Sequence, residues 1–407
     1  PRCDTVVMAR PTRSKVLLCF DQETEILTSR GWINGTALQD GDTVAQWDSD
    51  TNTVSFVEPQ HRFTRPVSPE ERMVSLNTPS TSIRVTEDHR VYYRPKHVTD
   101  DTEWRVSPAC DLAEKPARTG WLPTAGTNSF HGIPLTDDEV RLIAWITTDG
   151  GVGKTRGAYV AQSKPKYVKE IERVIRACGI KYGTYTDNRP TNFGERTSPL
   201  VRYTMSFGAP RGRDKHLRGW AHLSPWMFKS DFDAYTHDGA SVVRGRWENA
   251  SEHQWDVFME VMDAANGANT DSSSFGWTPR SMHVAISNLH FAEWVQSMCA
   301  QRGWSTSLVQ HKGRTDIWML HAKKISKRAV GGSDGRATWT FEVPYPSEHV
   351  WCVTVPSGAV VTRRKGKVTI LGQCQMIGRA VRPYTDPVTG VAKTDATVLD
   401  LTGVVRD

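Results

Sequence analysis

At 407 residues, with 38% hydrophobic and 24% charged residues, the chain has the make-up of a globular protein with room for two or three cores. No apolar run approaches the roughly 18 residues a membrane-spanning helix needs, so no membrane partner is expected. The seven cysteines, at 3, 19, 110, 178, 299, 352 and 374, are scattered and odd in number. They form no CxxC pair and no zinc spacing, which fits free thiols in a reducing, cytoplasmic setting. The formal charge of +6 is unevenly placed: residues 131–330 hold 27 Lys+Arg against 20 Asp+Glu. The remainder is close to neutral, so the middle of the chain is the part that fits a polyanionic partner.

The opening PRCDTVVMARPTRSK lacks the apolar stretch of a signal peptide, and a start inside a longer domain is expected. From Ile26 to Tyr93, short apolar runs divided by Gly, Asp and Asn (TEILTSRGW, GDTVAQWD, TVSFVE, MVSLNTP, TSIRVTEDHRVYY) predict an all-β domain. Residues 100–130, rich in Pro, Gly and Thr, read as a linker. From Thr136 the period becomes helical in DDEVRLIAWITTDGG, KYVKEIERVIRACG, HQWDVFMEVMDAANG and HFAEWVQSMCAQRG. Beyond about residue 338 the β pattern returns in TWTFEVP, HVWCVTVP, AVVTRR and KVTIL. Strands, a helical insert and strands again predict one β domain split by a second domain.

The insert repeats itself. Tyr159 to Gly179 overlays His283 to Gly303, so that Ser163 meets Ser287, Tyr167 meets Phe291, Ile171 meets Val295, Val174 meets Met298 and Gly179 meets Gly303. Each copy follows a helix that ends in a small-residue turn, and each is followed by strand-like text. Two α+β copies in one chain predict a pseudo-two-fold domain.

Cys19-Phe-Asp-Gln-Glu-Thr-Glu-Ile-Leu-Thr, Thr86-Glu-Asp-His89, His349-Val-Trp-Cys-Val-Thr-Val-Pro and Val368-Thr-Ile-Leu-Gly-Gln-Cys374 resemble, in order, the sequence blocks of inteins. The resemblance implies a self-splicing domain with the all-β horseshoe fold shared with hedgehog autoprocessing (Hint) domains, needing no cofactor for splicing. In the chemistry it implies, the Cys19 thiol attacks the Leu18 carbonyl, an exchange that needs activation. Thr86 and His89 polarise that peptide and protonate the leaving nitrogen. Cys374 then takes over the acyl chain, and Gln373 closes on its own backbone carbonyl to free the intein. Two departures stand out. Gly372-Gln373 replaces the usual His-Asn, which predicts slow cleavage at this end, and Cys352 occupies a place where Asp is common, as a relay base or thiol.

Removing 19–373 joins ARPTRSKVLL to CQMIGRAVRPY, and Gln375, Arg379 and Arg382 then resemble motif VI of superfamily 2 helicases. The resemblance implies short flanks, 1–18 and 374–407, from an α/β host domain whose arginines reach the ATP γ-phosphate. Gly150-Gly-Val-Gly-Lys154-Thr155 looks like a phosphate loop but lacks the first glycine and follows a helix, and is set aside.

Leu142-Ile-Ala-Trp-Ile-Thr-Thr-Asp149-Gly150 and Phe258-Met-Glu-Val-Met-Asp-Ala-Ala-Asn266-Gly267 resemble the paired motifs of LAGLIDADG (DOD-type) homing endonucleases. The resemblance implies cleavage of double-stranded DNA, at the uninterrupted host gene, by a monomer using Mg²⁺ held by one acid from each helix. Asn266 stands where the second acid belongs, which predicts a nicking or dead enzyme unless Asp263, nearly adjacent by helical phase, substitutes. Lys323 and Lys324 are the expected basic partners, with Lys164 a further candidate. The reading is therefore a multidomain chain: a splicing domain at 19–120 and 338–373 around an endonuclease at 131–335. Two rival functions stay open at this point, a fragment of an ATP-dependent helicase and a DNA-binding module whose nuclease is extinct.

Overall fold

The hairpin of Ala359–Arg364 with Lys367–Gly372 illustrates how the sequence builds its strands. Its two-residue turn, Lys365-Gly366, has positive φ at both positions, 48° and 72°, the geometry that matches the twist of the flanking strands. The computed structural model describes residues 6–7, 18–68, 70–95, 98, 103–114, 120–153, 157–189, 198–210, 214–228, 239–266, 281–330, 339–373 and 398–399. They fall into two compact units, Pro1–Thr127 with Gly303–Ser307 and Ile325–Asp407, and Asn128–Arg302 with Leu308–Lys324. Cys374, Gln375, Arg379, Arg382 and Lys154 lie outside the described residues. No described helix is long and apolar enough to cross a membrane.

Among the described residues the first unit is built of strands, with one short α-helix, α1 (Ala109–Glu114), and a 3-10 turn at Gly35–Ala37. One sheet orders its strands as Trp339–Glu342, Met73–Asn77, Ser82–Thr86, Phe20–Asp21, His349–Thr354 and His61–Pro66. A second sets Lys367–Gly372 beside Ala359–Arg364, Glu25–Thr28, Val44–Asp48 and Thr53–Val57. The core joins Phe20, Val74, Leu76, Ile83, Val85, Trp351, Val353, Val360 and Leu371. A buried ion pair lies within this unit: Arg364 donates to both Asp21 oxygens at 2.8 to 3.1 Å and to Ser82 Oγ at 3.1 Å. Residues 100–130 do not form the expected linker throughout. They contribute α1 and the strands Arg105–Pro108 and Gly120–Pro123, whose four-residue lengths are too short to give a period. Gly120–Pro123 pairs with Lys327–Val330, so the first unit resumes before the expected boundary near 335.

The second unit contains two similar runs, αββαββ in the first and, among the described residues, αβαββ in the second. The first has α2 (Asp137–Asp149), Gly150–Val152, Ala158–Gln162, α3 (Pro165–Ala177), Tyr182–Asp187 and Leu200–Met205. After α4 (Gly239–Glu248), the second has α5 (Glu252–Asn266), Ser281–Ile286, α6 (Leu289–Ala300), Trp304–His311 and Arg314–Lys324. Sheet orders correspond: 158–162, 200–205, 182–187 in one and 281–286, 314–324, 304–311 in the other. Even the turns repeat, because Gly179 and Gly303 both take positive φ, 65° and 74°, at equivalent positions after α3 and α6. Helix α2 starts at a capping box in which Thr136 Oγ1 accepts from the Glu139 N–H while the Glu139 carboxylate accepts from the Thr136 N–H.

Truncating Arg364 strands the Asp21 carboxylate in a site where it is 1% exposed. Arg364→Ala is expected to destabilise the first unit by about 3–5 kcal/mol. Chemical denaturation checks this, and a loss near zero would remove the pair from the account of the fold.

Candidate functional site

Each unit gathers reactive side chains, and each cluster is described separately. In the first unit Phe20–Asp21 is flanked by Ser82–Thr86 on one side and His349–Thr354 on the other, with Phe20 opposite both Val85 and Trp351. Continuing that register brings Cys19 beside the end of the Thr86 strand and opposite Cys352. The Cys19 N–H donates to Thr86 Oγ1 at 3.0 Å, and the Thr86 N–H donates to the Cys19 carbonyl at 3.1 Å. A turn from the Thr86 carbonyl to the His89 N–H at 3.0 Å then carries the imidazole inward.

His89 is wholly buried, stacked edge-on against Phe20 at 4.6 Å between ring centroids. Burial drives its pKa down to about 3, so the ring is neutral. The backbone of Gly372 and that of Leu18 pull the other way. Only an acceptor favours a charged imidazole, so it is their carbonyls that face the ring. Neither ring nitrogen completes a hydrogen bond among the described residues. Cys19 is also fully buried, with Met73, Val350 and Cys352, and burial raises its thiol pKa well above the ordinary range, with Cys352 and Glu71 adding to the rise and Arg65 opposing it. Cys352 lies 1% exposed with its thiol toward the Val353 carbonyl at 3.5 Å.

Gln373 is buried and its carboxamide is pinned at both ends by one residue: Oε1 accepts from the Val355 N–H at 2.6 Å, and Nε2 donates to the Val355 carbonyl. Gly372 is there because a side chain does not fit. A Cβ at that position would lie 2.8 Å from both the Cβ and the carbonyl oxygen of Arg90, the residue after His89. A histidine before Gln373 would therefore displace the very loop that carries His89.

In the second unit, α2 and α5 start together, with His253 Nε2 2.8 Å from Asp137 Oδ2, and are bridged again by Arg141 and Glu260 at 3.5 Å. Their apolar faces, Leu142 to Ile146 and Phe258 to Met262, are buried, with the exception of Glu260, which makes that bridge. Asp149 and Asp263 both lie near the far ends. Desolvation raises each carboxyl to about 6; Lys164 opposes the rise at Asp149, while His283 and then Lys164 oppose it at Asp263. One ammonium acts on both acids. Gln162 Nε2 donates to Asp149 Oδ2 at 2.6 Å, and its own oxygen is fixed by the Ser163 and Lys164 N–H groups at 2.9 and 3.0 Å. Asp263 is 4% exposed and its Oδ1 has no partner among the described residues. His283 pairs in register with His321, their rings 4.4 Å apart.

Neither expected basic residue is among the groups that act on Asp149 or Asp263. Lys324 is held by Glu252 and Asp256 at 2.7 and 2.8 Å, at the start of α5 rather than near Asp263. Lys323 is exposed, opposite Ser281. Asn266 ends α5, and its side chain lies outside the described residues. Sequence reading did not single out Gln162 and gave Lys164 only as a further candidate. The signal was in the repeat: Asn288, at the position equivalent to Lys164, caps α6 through the Phe291 N–H at 2.9 Å, whereas Lys164 leaves α3 uncapped. A cap position that gives up its hydrogen bond frees its side chain for other work.

No family model matches the sequence. The chain is 22% identical over 397 residues to the ribonucleoside-diphosphate reductase subunit beta of Aquifex aeolicus, covering 88% of this chain and 50% of that protein. It is 26% identical over 151 residues to the ATP-dependent Clp protease proteolytic subunit of Chlamydomonas moewusii, covering 32% of this chain and 14% of that one. The chain thus spans half or less of the length of these curated relatives. Among solved structures, I-DmoI in complex with DNA and Mn overlaps 46% of this chain and 89% of its own, with 12% identity and a TM-score of 0.28. Full-length DUF199/WhiA from Thermatoga maritima overlaps 47% and 53%, with 8% identity and the same TM-score of 0.28. Overlap of this grade assigns no activity to this chain.

A raised carboxyl pKa means that the folded state binds the proton more tightly than the unfolded chain, whose ordinary value is 3.8. The stability these protons contribute is full below that ordinary value and is lost as pH rises through about 6. The second unit is therefore expected to melt lower above pH 6 than below it, and Asp263→Asn is expected to flatten that dependence. Calorimetry across this window checks it, with carboxyl NMR reading the two titrations directly.

Proposed function

We propose that the chain is a self-splicing intein, Cys19–Gln373, interrupting a superfamily 2 helicase, and that its second unit is a LAGLIDADG-type DNA endonuclease. The observation that carries the splicing reading is the buried set of Cys19, Thr86 and His89, in which the Cys19 N–H donates to Thr86 Oγ1 at 3.0 Å and His89 lies wholly buried against Phe20. Burial keeps the imidazole neutral, and the backbone of Leu18, the residue before Cys19, acts on it. A neutral imidazole can donate one N–H to a carbonyl and polarise it without carrying a charge into the core. Thr86 Oγ1, already accepting from the Cys19 N–H, orients the nitrogen that must leave when the Cys19 thiol attacks Leu18. The Val355 clamp sets the plane of the Gln373 carboxamide, which must rotate out of it before its nitrogen can close on the backbone. That clamp, together with the six-membered closure, supports a slow final step.

For the nuclease, the donor set fits Mg²⁺: two half- to fully buried carboxyls, one with an unpartnered oxygen, in surroundings that make their ionised forms costly. Asp149 and Asp263 would hold the ion, which when bound would activate water toward a DNA phosphodiester. Gln162 keeps Asp149 oriented, and Lys164 supplies the positive charge near both acids. Among the described residues this favours Asp263 as the second acid. The two curated relatives bear names of unrelated activities, yet the stretches they match overlap within this chain, since their shares together exceed its length. A segment that recurs in unrelated proteins fits an element that excises itself from a host.

Incubating the purified chain is expected to release Cys19–Gln373 and to ligate the flanks into a product reading through Gln375-Met-Ile-Gly-Arg379, identified by mass spectrometry. Release at other bonds would sink the junction assignment. For the nuclease, supercoiled plasmid carrying the uninterrupted host junction is expected to be linearised with Mg²⁺. Asp149→Asn and Asp263→Asn should each remove double-strand cleavage, while Asn266→Asp leaves it within about threefold. Cleavage that survives Asp263→Asn and rises with Asn266→Asp would return the second acid to position 266.

A further inference from the structure

The splicing reading leaves one problem open. Cys19 must be a thiolate to attack, and its surroundings oppose ionisation. Met73, Val350 and Cys352 enclose the sulfur. His89, with its pKa near 3, does not hold a proton taken from a thiol. The nearby carboxylate, Glu71, has both oxygens engaged by Arg65, Nη2 at 2.6 Å and Nη1 at 2.8 Å. Of the charged groups among the described residues that act on the sulfur, only Arg65 favours its ionised form, with Nη2 at 4.0 Å from Sγ.

We propose that Arg65 is a catalytic residue of the first rearrangement, its Glu71-clamped guanidinium stabilising the negative charge that develops on the Cys19 sulfur as it attacks Leu18. The clamp matters because a flexible cation would turn toward water, whereas Arg65 is held by two parallel bonds and is 21% exposed at its side chain. Its position follows from the sheet: strand His61–Pro66 pairs with His349–Thr354, setting Arg65 opposite Val350 and Phe63 opposite Cys352. Arg65 Nε, buried, has no partner among the described residues. A guanidinium serving only to pair with Glu71 has no need to reach Cys19. The step balances within the molecule. The Cys19 Sγ–Leu18 carbon bond forms, the Leu18–Cys19 C–N bond breaks, and the thiol proton ends on the released nitrogen. Arg65 keeps its protons throughout and stabilises the charge between the two positions of that proton.

The test isolates this step in the full chain carrying Cys374→Ala, with dithiothreitol-induced cleavage between Leu18 and Cys19 followed as a function of pH. Among the described residues the groups that act on Cys19 are Arg65, Glu71 and Cys352, and the variants address the first. Arg65→Met is expected to move the midpoint of the pH profile upward by about one to two units and slow cleavage at neutral pH by about 10- to 100-fold. Arg65→Lys, which keeps the charge without the two parallel bonds, should move the midpoint up less than Arg65→Met does. Slower cleavage by Arg65→Met with an unmoved midpoint would mean that the residue only packs the site, and would overturn the proposal. If Arg65→Met loses cooperative melting, Arg65→Gln decides, since a midpoint that stays or falls overturns it equally. Absence of cleavage in the parent chain would instead overturn the splicing reading on which the proposal rests.

Discussion

The pairing of two residues, Phe20 and Asp21, between Ser82–Thr86 and His349–Thr354 is the constraint on which the first cluster depends. Those strands are separated in sequence by most of the chain, and only a sheet brings them within hydrogen-bonding reach. Once Phe20 lies between Val85 and Trp351, the Cys19 N–H meets Thr86, Cys352 comes opposite Cys19, and His89 turns in against Phe20. A slip of one residue would reverse every side chain across the sheet and take Cys19 out of its enclosure. Asp21 secures the register from the other side through Arg364 and Ser82, and the Trp351 indole N–H donates to the Asp21 carbonyl at 3.0 Å.

The same physical device operates in both units. Burial sets the protonation of the reactive groups and nearby basic groups adjust it: desolvation neutralises His89 and raises Cys19, with Arg65 opposing at the sulfur. In the second unit desolvation raises Asp149 and Asp263; Lys164 opposes at Asp149, and His283 and then Lys164 oppose at Asp263. Each cation is held or placed by its neighbours, Arg65 by Glu71 and Lys164 by its uncapped position before α3. Such sites cost stability, since a buried group in the wrong charge state is expensive. The surrounding strands and helices, all closely packed, make them tolerable.

The duplication in the second unit is close in topology and uneven in chemistry. Strand order and turn glycines repeat, but Gln162 and Lys164 of the first copy correspond to Ile286 and Asn288 of the second. The first copy therefore supplies the polar groups around the acids, while the second supplies Asp263 and His283. Asymmetry of this kind is open to a single-chain repeat, because each half is free to specialise once the other keeps the fold.

Much of this was legible in the sequence. Alternating apolar runs marked most strands, the change to a helical period marked α2, α3, α5 and α6, and the repeat announced two equivalent halves, because these patterns record local burial along a single element. Cys19, Thr86 and His89 stood out as a set of reactive types in order. The strands in 103–123 were not legible, since four residues carry too little alternation to be read. Nor were the roles of Lys164, Gln162 and Arg65. Each is an ordinary polar residue until the fold sets it against a buried thiol or carboxyl, and nothing local to Lys324 showed that it would pair with Glu252 and Asp256. Local periodicity determined the elements. Which charges share a desolvated site depends on contacts between residues far apart in the chain, and those only the tertiary structure decided.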